Sequence, residues 1–65
     1  MNEPRIHFKD LLKRRDALEM QTVTDPEEYA WDWMKLAADF DELKMYDNAE
    51  KCRGRGEYYF SVAPV

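Results

Sequence analysis

The most regular hydrophobic pattern in the chain lies between Asp25 and Lys44. Apolar residues recur there at alternating spacings of four and three, which place them along one side of an α-helix; they are Tyr29, Trp33, Leu36, Phe40 and Leu43. The segment from Thr24 to Glu28 carries a cap, a first-turn proline and Glu residues placed for a capping box, all of which are typical of a helix start. These features predict a helix over about 26–43.

A weaker apolar pattern precedes this helix. The residues that recur at helical spacing are Phe8, Leu11, Leu12 and Leu18. Glu3 and Pro4 suit a first turn, because a carboxylate stabilises the positive end of the helix dipole and proline fits that position. The sequence therefore predicts a first helix over about 3–20, followed by a polar loop.

A third apolar pattern follows a short turn near residues 44–46. Its members are Tyr46, Ala49, Cys52, Gly56, Tyr59 and Phe60. One interpretation is a helix over about 47–60, in which Gly56 would let another helix approach closely. The other ends the helix at Gly54 and makes residues 57–62 a short strand. The continuous helix is favoured because the apolar register survives both glycines, although each costs about 1 kcal/mol.

Together these patterns predict an all-α, three-helix domain. The turn between helices two and three is short, which indicates an antiparallel hairpin. The 65 residues are enough for one small domain, with residues 61–65 as a flexible tail. A single cysteine and a single histidine cannot form an internal disulfide or a zinc cluster. The fold must therefore be stabilised by helix packing.

Composition and charge limit the range of possible functions. Hydrophobic residues make up 45% of the chain, which is too much for a disordered protein. Counting Asp, Glu, Lys and Arg, residues 1–20 carry +1, residues 21–43 carry −6 and residues 44–65 carry +1, so the net charge is −4. An acidic middle disfavours nucleic acid as a partner. The sequence has neither a signal-peptide core nor an apolar run long enough for a membrane span, and with its unpaired thiol it predicts a cytoplasmic protein.

Few residues could carry chemistry. His7 has no nucleophile near it in the sequence and is expected at the surface, whereas Cys52 falls on the apolar side of helix three and is expected to pack as a small hydrophobe. Asp39, Asp41 and Glu42 point in different directions on one helix, unlike the ligands of a calcium loop. The sequence thus predicts a non-enzymatic protein with no catalytic residue, cofactor or metal.

Helices two and three resemble the helical hairpin of a tetratricopeptide repeat. The matching positions are Trp33, Leu36, Ala37, Phe40, Tyr46 and Ala49. The chain departs from that motif at Lys44, where glycine is usual near the turn, and at Arg53, where a large apolar residue is usual. The family stacks three or more units, whereas this chain has length for one. The resemblance implies binding rather than catalysis.

In size and composition the chain also looks like the short accessory proteins of lambdoid temperate phages, which are small, acidic, poor in cysteine and often helical. This resemblance covers general properties and involves no motif. It implies a biological context for a small accessory protein rather than a mechanism.

A second apolar strip on helix two supplies the main functional hypothesis. Trp31, Met34 and Ala38 lie well away from the Trp33 side of the helix. They could pack against a neighbouring helix, or they could stay exposed and bind a protein partner, since Trp is frequent in binding hot spots and Met adapts to varied surfaces. Homodimerisation through the same strip is a variant of this hypothesis.

The alternative hypothesis is a small DNA-binding regulator. Asn48, Lys51, Arg55 and Tyr58 share a side of helix three that the pattern places opposite its apolar side. A helix-turn-helix protein presents polar and basic residues in this way from its second helix. The acidic helix beside them would repel DNA, so an ordinary solvated surface is favoured.

Overall fold

The computed structural model of the chain describes residues 7–63. Within this range the chain forms three α-helices and no strand: α1 (Phe8–Met20), α2 (Pro26–Glu42) and α3 (Tyr46–Val62). α2 and α3 pack against each other as an antiparallel hairpin, and α1 packs against α2 rather than α3. The predicted all-α, three-helix fold is confirmed.

Both ends of α2 have capping interactions that are common at helix ends. The Asp25 carboxylate accepts hydrogen bonds from the backbone N–H groups of Glu27 and Glu28, at 3.1 and 3.3 Å, so a cap lies in the predicted segment and Asp25 provides it. At the other end, Lys44 adopts a left-handed conformation with φ 60°, and the N–H of Met45 donates to the carbonyl of Phe40. This is a Schellman ending, for which glycine is the usual residue. Lys44 therefore occupies the position where the repeat motif usually has glycine.

The start of α1 differs from the prediction. His7 has an extended backbone, with φ −109° and ψ 135°, so α1 begins at Phe8 rather than at residue 3. The Nδ1 atom of His7 accepts a hydrogen bond from the N–H of Lys9 at 3.2 Å, and His7 thereby caps the helix. The turn predicted around Glu3 and Pro4 lies outside the described residues.

α3 continues through both glycines, so the favoured interpretation is confirmed and the predicted alternative, a strand over 57–62, is wrong. The helix also extends past its predicted end at residue 60. Ser61 and Val62, which the sequence placed in a loose tail, form the last turn, where the Ser61 hydroxyl donates to the Tyr58 carbonyl at 2.6 Å. Of the remaining tail residues, Ala63 follows the helix as its cap, and residues 64 and 65 lie outside the described part of the chain.

Gly56 is buried where α3 crosses α2. A methyl group on Gly56 would lie 2.7 Å from the Met34 sulfur and 3.1 Å from the Ala30 carbonyl oxygen. The first contact would require the Met34 side chain to move, and the second is tighter than ordinary van der Waals contact, so glycine fits this crossing without any such adjustment. Gly54, by contrast, has open space around it.

α2 supplies most of the core because it lies between the other two helices. The buried apolar residues are Leu11, Tyr29, Ala30, Trp33, Leu36, Ala37, Phe40, Ala49 and Cys52. Only Leu11 comes from α1, and Leu12 and Leu18 are half-buried. The Tyr29 hydroxyl donates to the Leu18 carbonyl and helps hold α1 in place. α1 thus packs more loosely than the α2–α3 hairpin.

Candidate partner-binding surface and the adjacent cleft

The predicted strip on α2 lies at the edge of the α2–α3 contact. Trp31 is 53% exposed and Ala38 is also exposed, whereas Met34 is half-buried against Gly56 of α3. The strip therefore combines the two arrangements that the sequence left open. Met34 helps to pack the hairpin, and Trp31 and Ala38 present apolar surface to solvent.

Phe60 of α3 extends this surface. Its ring lies edge-on to Trp31, with ring centroids 5.0 Å apart and an interplanar angle of 83°. Sequence reasoning assigned Phe60 to the apolar pattern of α3 without placing it beside Trp31. Its position one turn after Gly56, which packs against Met34, is the signal that could have located it. We refer to Trp31, Met34, Ala38 and Phe60 as the docking strip.

Charged residues border the docking strip. Glu27 lies one turn before Trp31 on α2, and Glu57 lies three residues before Phe60 on α3; both are exposed. Farther along the hairpin, Asp41 and Arg53 form an ion pair at 2.6 Å across the two helices. Glu27 and Glu57 therefore give the aromatic end of the strip an acidic border, and Lys35, exposed one turn after Trp31, adds one positive charge toward Ala38.

The polar side of α3 lies toward α1, which corrects the expectation that it points away from the core. The Arg55 guanidinium lies 5.1 Å from the centroid of the Trp33 ring and pairs with Glu19 of α1 at 3.3 Å. Tyr58, the last member of the predicted nucleic-acid surface, is 60% exposed and contacts Tyr59 edge-on. Arg55 therefore makes contacts within the fold instead of facing freely into solvent.

A cleft of about 210 Å³ lies between α1 and α3, with Trp33 among its lining residues. Its other lining residues are Arg15, Glu19, Asn48, Lys51, Cys52 and Arg55. The cleft thus brings three residues of the predicted nucleic-acid surface together with α1 in a concave site. These residues are Asn48, Lys51 and Arg55. Sequence reasoning missed this cleft because it gathers residues from all three helices.

Cys52 lies at this cleft but is 2% exposed. Burial raises the pKa of the Cys52 thiol, and the nearby positive charges of Arg15 and Arg55 oppose the rise without cancelling it. A thiol with a raised pKa stays protonated at neutral pH and is a poor nucleophile. This supports the interpretation of Cys52 as a small hydrophobic residue.

The acidic residues of α2 form separate contacts. Asp39 pairs with Arg14 of α1 at 2.5 Å, Asp41 pairs with Arg53 of α3, and Glu42 is exposed. Asp39 and Asp41 thus point toward different helices, as their spacing predicted. Among residues 7–63, no three His, Cys, Asp or Glu side chains are grouped closely enough to hold a metal ion.

Comparisons with protein-family models, with curated proteins and with solved structures found no significant match to this chain. The similarity to a tetratricopeptide hairpin therefore stays a prediction based on a few residues. None of the helices in the described range is long and apolar enough to cross a membrane.

Proposed function

We propose that this chain is a non-enzymatic binding module that docks a partner protein on the docking strip. The observation that carries the proposal is the half-exposed Trp31 ring, which lies against Phe60 and next to Met34. Large aromatic residues at the centre of an apolar surface supply much of the affinity in protein interfaces. The contact with Phe60 also favours binding, because it restricts Trp31 before any partner arrives.

The acidic border defines the chemistry of the partner. Glu27 and Glu57 are exposed beside the two aromatic rings, within a protein whose residues 21–43 carry a net charge of −6. A partner segment with apolar side chains flanked by Lys or Arg would complement both the strip and its border. An amphipathic basic helix meets these requirements, since a helix can lay one apolar face into such a surface.

The same border disfavours a second copy of this chain as the partner. A symmetric dimer whose two-fold axis lies at Trp31 and Phe60 would bring the Glu27 and Glu57 carboxylates of both copies close together. Like charges at an interface oppose association, and here they would surround a small apolar contact. We therefore propose a different protein as the occupant, with self-association as an outcome that the experiment must detect.

The geometry gives the DNA-binding alternative less support. A helix-turn-helix crosses its two helices at about 90–120°, whereas α2 and α3 form an antiparallel hairpin. Arg55 pairs with Glu19 and covers the Trp33 ring, so it is not free to contact phosphate. Lys51 and Arg55 are both exposed, but Arg55 is paired with Glu19, whereas Lys51 has no ion pair within residues 7–63.

The proposal is tested by site-specific crosslinking. A photoreactive residue at Ala38 should capture a protein from the cells that produce this chain, and mass spectrometry should map the crosslink to an amphipathic segment rich in Lys or Arg. Trp31→Ser should abolish capture. Tyr58→Ser, which removes an exposed aromatic ring from the other side of the hairpin, should leave it intact.

Three results would overturn the proposal. The first is equal capture by the Trp31→Ser and Tyr58→Ser variants, both shown by circular dichroism to be folded. The second is a crosslink that joins two copies of this chain. The third is a crosslinked segment that is acidic or lacks an apolar face.

A further inference from the structure

The first helix lies on a hairpin that keeps a core of its own. Within residues 7–63, every buried apolar side chain except Leu11 belongs to α2 or α3. These two helices contact each other from the Trp31–Phe60 contact at one end to the ion pair of Arg53 near the other. Most of their packing therefore involves no residue of α1, so α1 can leave without separating the two helices.

A small apolar contact holds α1 against the hairpin. Leu11 is buried, whereas Leu12 and Leu18 are half-buried. Arg15 weakens this contact, because its Nε atom is buried and has no acceptor within residues 7–63. An unpaired buried donor is destabilising, and on a detached α1 the same atom would bond to water. Of the three helices, α1 is thus the one that opens most readily.

Two ion pairs also hold α1, and both are accessible to solvent. Arg14 pairs with Asp39 of α2 at 2.5 Å, and Glu19 pairs with Arg55 of α3 at 3.3 Å. Each of these side chains is between 29% and 51% exposed, so water screens the pairs and each stabilises the fold only weakly. They do select a helix with the right charge at each point, since a like charge there would oppose binding.

The segment 21–25 that joins α1 to α2 can serve as a hinge. Gln21 and Asp25, its first and last residues, have extended backbones, so α1 can swing away without unwinding either helix. Val23 is half-buried against the core, and the other four residues are exposed. A hinge this short keeps α1 near its own hairpin at an effective concentration on the order of 1 mM. The chain is therefore expected to be monomeric in dilute solution.

We propose that the surface beneath α1 binds α1 of a second copy, so that two chains exchange their first helices. The exchanged helix makes the contacts that it makes within one chain: Leu11 enters the core cluster, and Arg14 pairs with Asp39. Each chain carries both the helix and the surface that fits it, so the exchange creates a dimer without requiring a new complementary surface. The dimer forms as the concentration of chains approaches the effective concentration of α1 in the monomer.

This inference does not rest on the proposed docking function. The exchange takes place on the Trp33 side of α2, whereas Trp31 and Phe60 contact each other within one hairpin. Trp31→Ser should therefore exchange helices as the unchanged chain does. Capture through Ala38 is carried out in dilute solution, where the chain is monomeric. Loss of partner capture and loss of helix exchange are separate results, and either proposal can fail alone.

The test is intermolecular rescue by charge reversal. Arg14→Asp and Asp39→Arg, made in separate full-length chains, each place like charges together, in the monomer and in a dimer of identical copies. In a mixture of the two, an exchanged dimer pairs opposite charges at both contacts. The mixture should therefore dimerise about tenfold more tightly than either variant alone, because two repulsive contacts are replaced by two ion pairs. Sedimentation equilibrium up to about 1 mM measures the three affinities.

The ion pair between Asp41 and Arg53 provides the matched control. It has a similar length, 2.6 Å, and similar exposure, but it joins α2 to α3 within one hairpin. Exchange of α1 leaves this contact inside each chain. A mixture of Asp41→Arg and Arg53→Asp should therefore dimerise no more tightly than either of these variants alone.

The proposal is wrong if the Arg14→Asp and Asp39→Arg mixture dimerises no more tightly than its components, or if the control mixture gains as much. It is also wrong if Trp31→Ser, introduced into both chains, abolishes the gain, since the copies would then meet at the docking strip. Should a reversed variant be unfolded alone, circular dichroism gives the same test. The helical signal should recover in the first mixture and not in the control, and no recovery in the first mixture would overturn the proposal.

Discussion

Two tryptophans, two residues apart on α2, occupy opposite environments. Trp33 faces the core and is 1% exposed, with the arginine-bordered cleft beside it. Trp31 is 53% exposed at the edge of the hairpin, where Phe60 covers part of its ring. Trp33 lies in the core cluster with Leu11 of α1 and Cys52 of α3, whereas Trp31 lies at the edge of the hairpin and is covered in part by Phe60. The same residue type is thus a core residue on one side and a candidate contact on the other.

The largest expected effect on stability distinguishes the Trp33 side of α2 from the Trp31 side. Trp33→Ala should lower the free energy of unfolding by about 3–5 kcal/mol, because it leaves a large cavity in the core. A domain of 65 residues has little stability to lose, so this variant should be largely unfolded. Trp31→Ala should cost less than about 1 kcal/mol. Urea denaturation followed by circular dichroism measures both, and equal losses would contradict the assigned environments.

The two glycines of α3 provide a second comparison. Gly56→Ala should destabilise the chain by about 1–3 kcal/mol, since its methyl group would overlap Met34 and crowd the Ala30 carbonyl. Gly54→Ala should stabilise it by about 0.5–1 kcal/mol, because the position is open and alanine favours a helix. The same denaturation experiment checks both signs. A stabilising Gly56→Ala would show that the helices are not in close contact there.

A smaller effect is expected at the turn that joins α2 to α3. Lys44 has a positive φ, which disfavours any residue with a side chain, so Lys44→Gly should raise the free energy of unfolding by about 1 kcal/mol or less. Lys35→Gly, in the middle of α2, should have the opposite sign because helix interiors disfavour glycine. If both variants are destabilised, the Schellman ending of α2 is wrong.

The smallest effect concerns Cys52 on the cleft side. Its pKa is raised in the folded chain, so above about pH 8.5 the unfolded chain loses its thiol proton before the folded chain does. The raised pKa of Cys52 therefore stabilises the folded chain below that pH. This contribution to the free energy of unfolding is lost as the pH rises toward the folded-state pKa. Denaturation at several pH values should show this decline, and the decline should be weaker in Cys52→Ala. An identical pH dependence in both proteins would contradict the raised pKa.

Local patterns predicted most of the helices. The spacing on α2 and the cap at Asp25 defined that helix to within a residue, because both signals act within one or two turns. The start of α1 was missed because the sequence placed the cap earlier, whereas the His7 ring itself accepts the Lys9 N–H. The end of α3 was missed by two residues for a similar reason, since helix ends depend on weak local contacts.

The two surfaces differ in how far sequence could locate them. Trp31, Met34 and Ala38 share one helix, so their spacing was enough to group them. The cleft depends on how α1 is placed against the hairpin, which helical periodicity does not determine. Arg15 and Arg55 are far apart in sequence, and their shared site depends on the contact between Glu19 and Arg55. Residues contributed by separate helices become a site only when those helices pack.

The docking strip is tested most directly by a calorimetric titration with two synthetic amphipathic helical peptides. One is built from leucine and lysine, and the other has glutamate in place of every lysine. The lysine peptide should bind the unchanged chain and Tyr58→Ser equally, and Trp31→Ser at least about tenfold more weakly. The glutamate peptide should not bind. Equal affinity of Trp31→Ser and Tyr58→Ser for the lysine peptide, or equally tight binding of the glutamate peptide, would contradict the proposed docking strip.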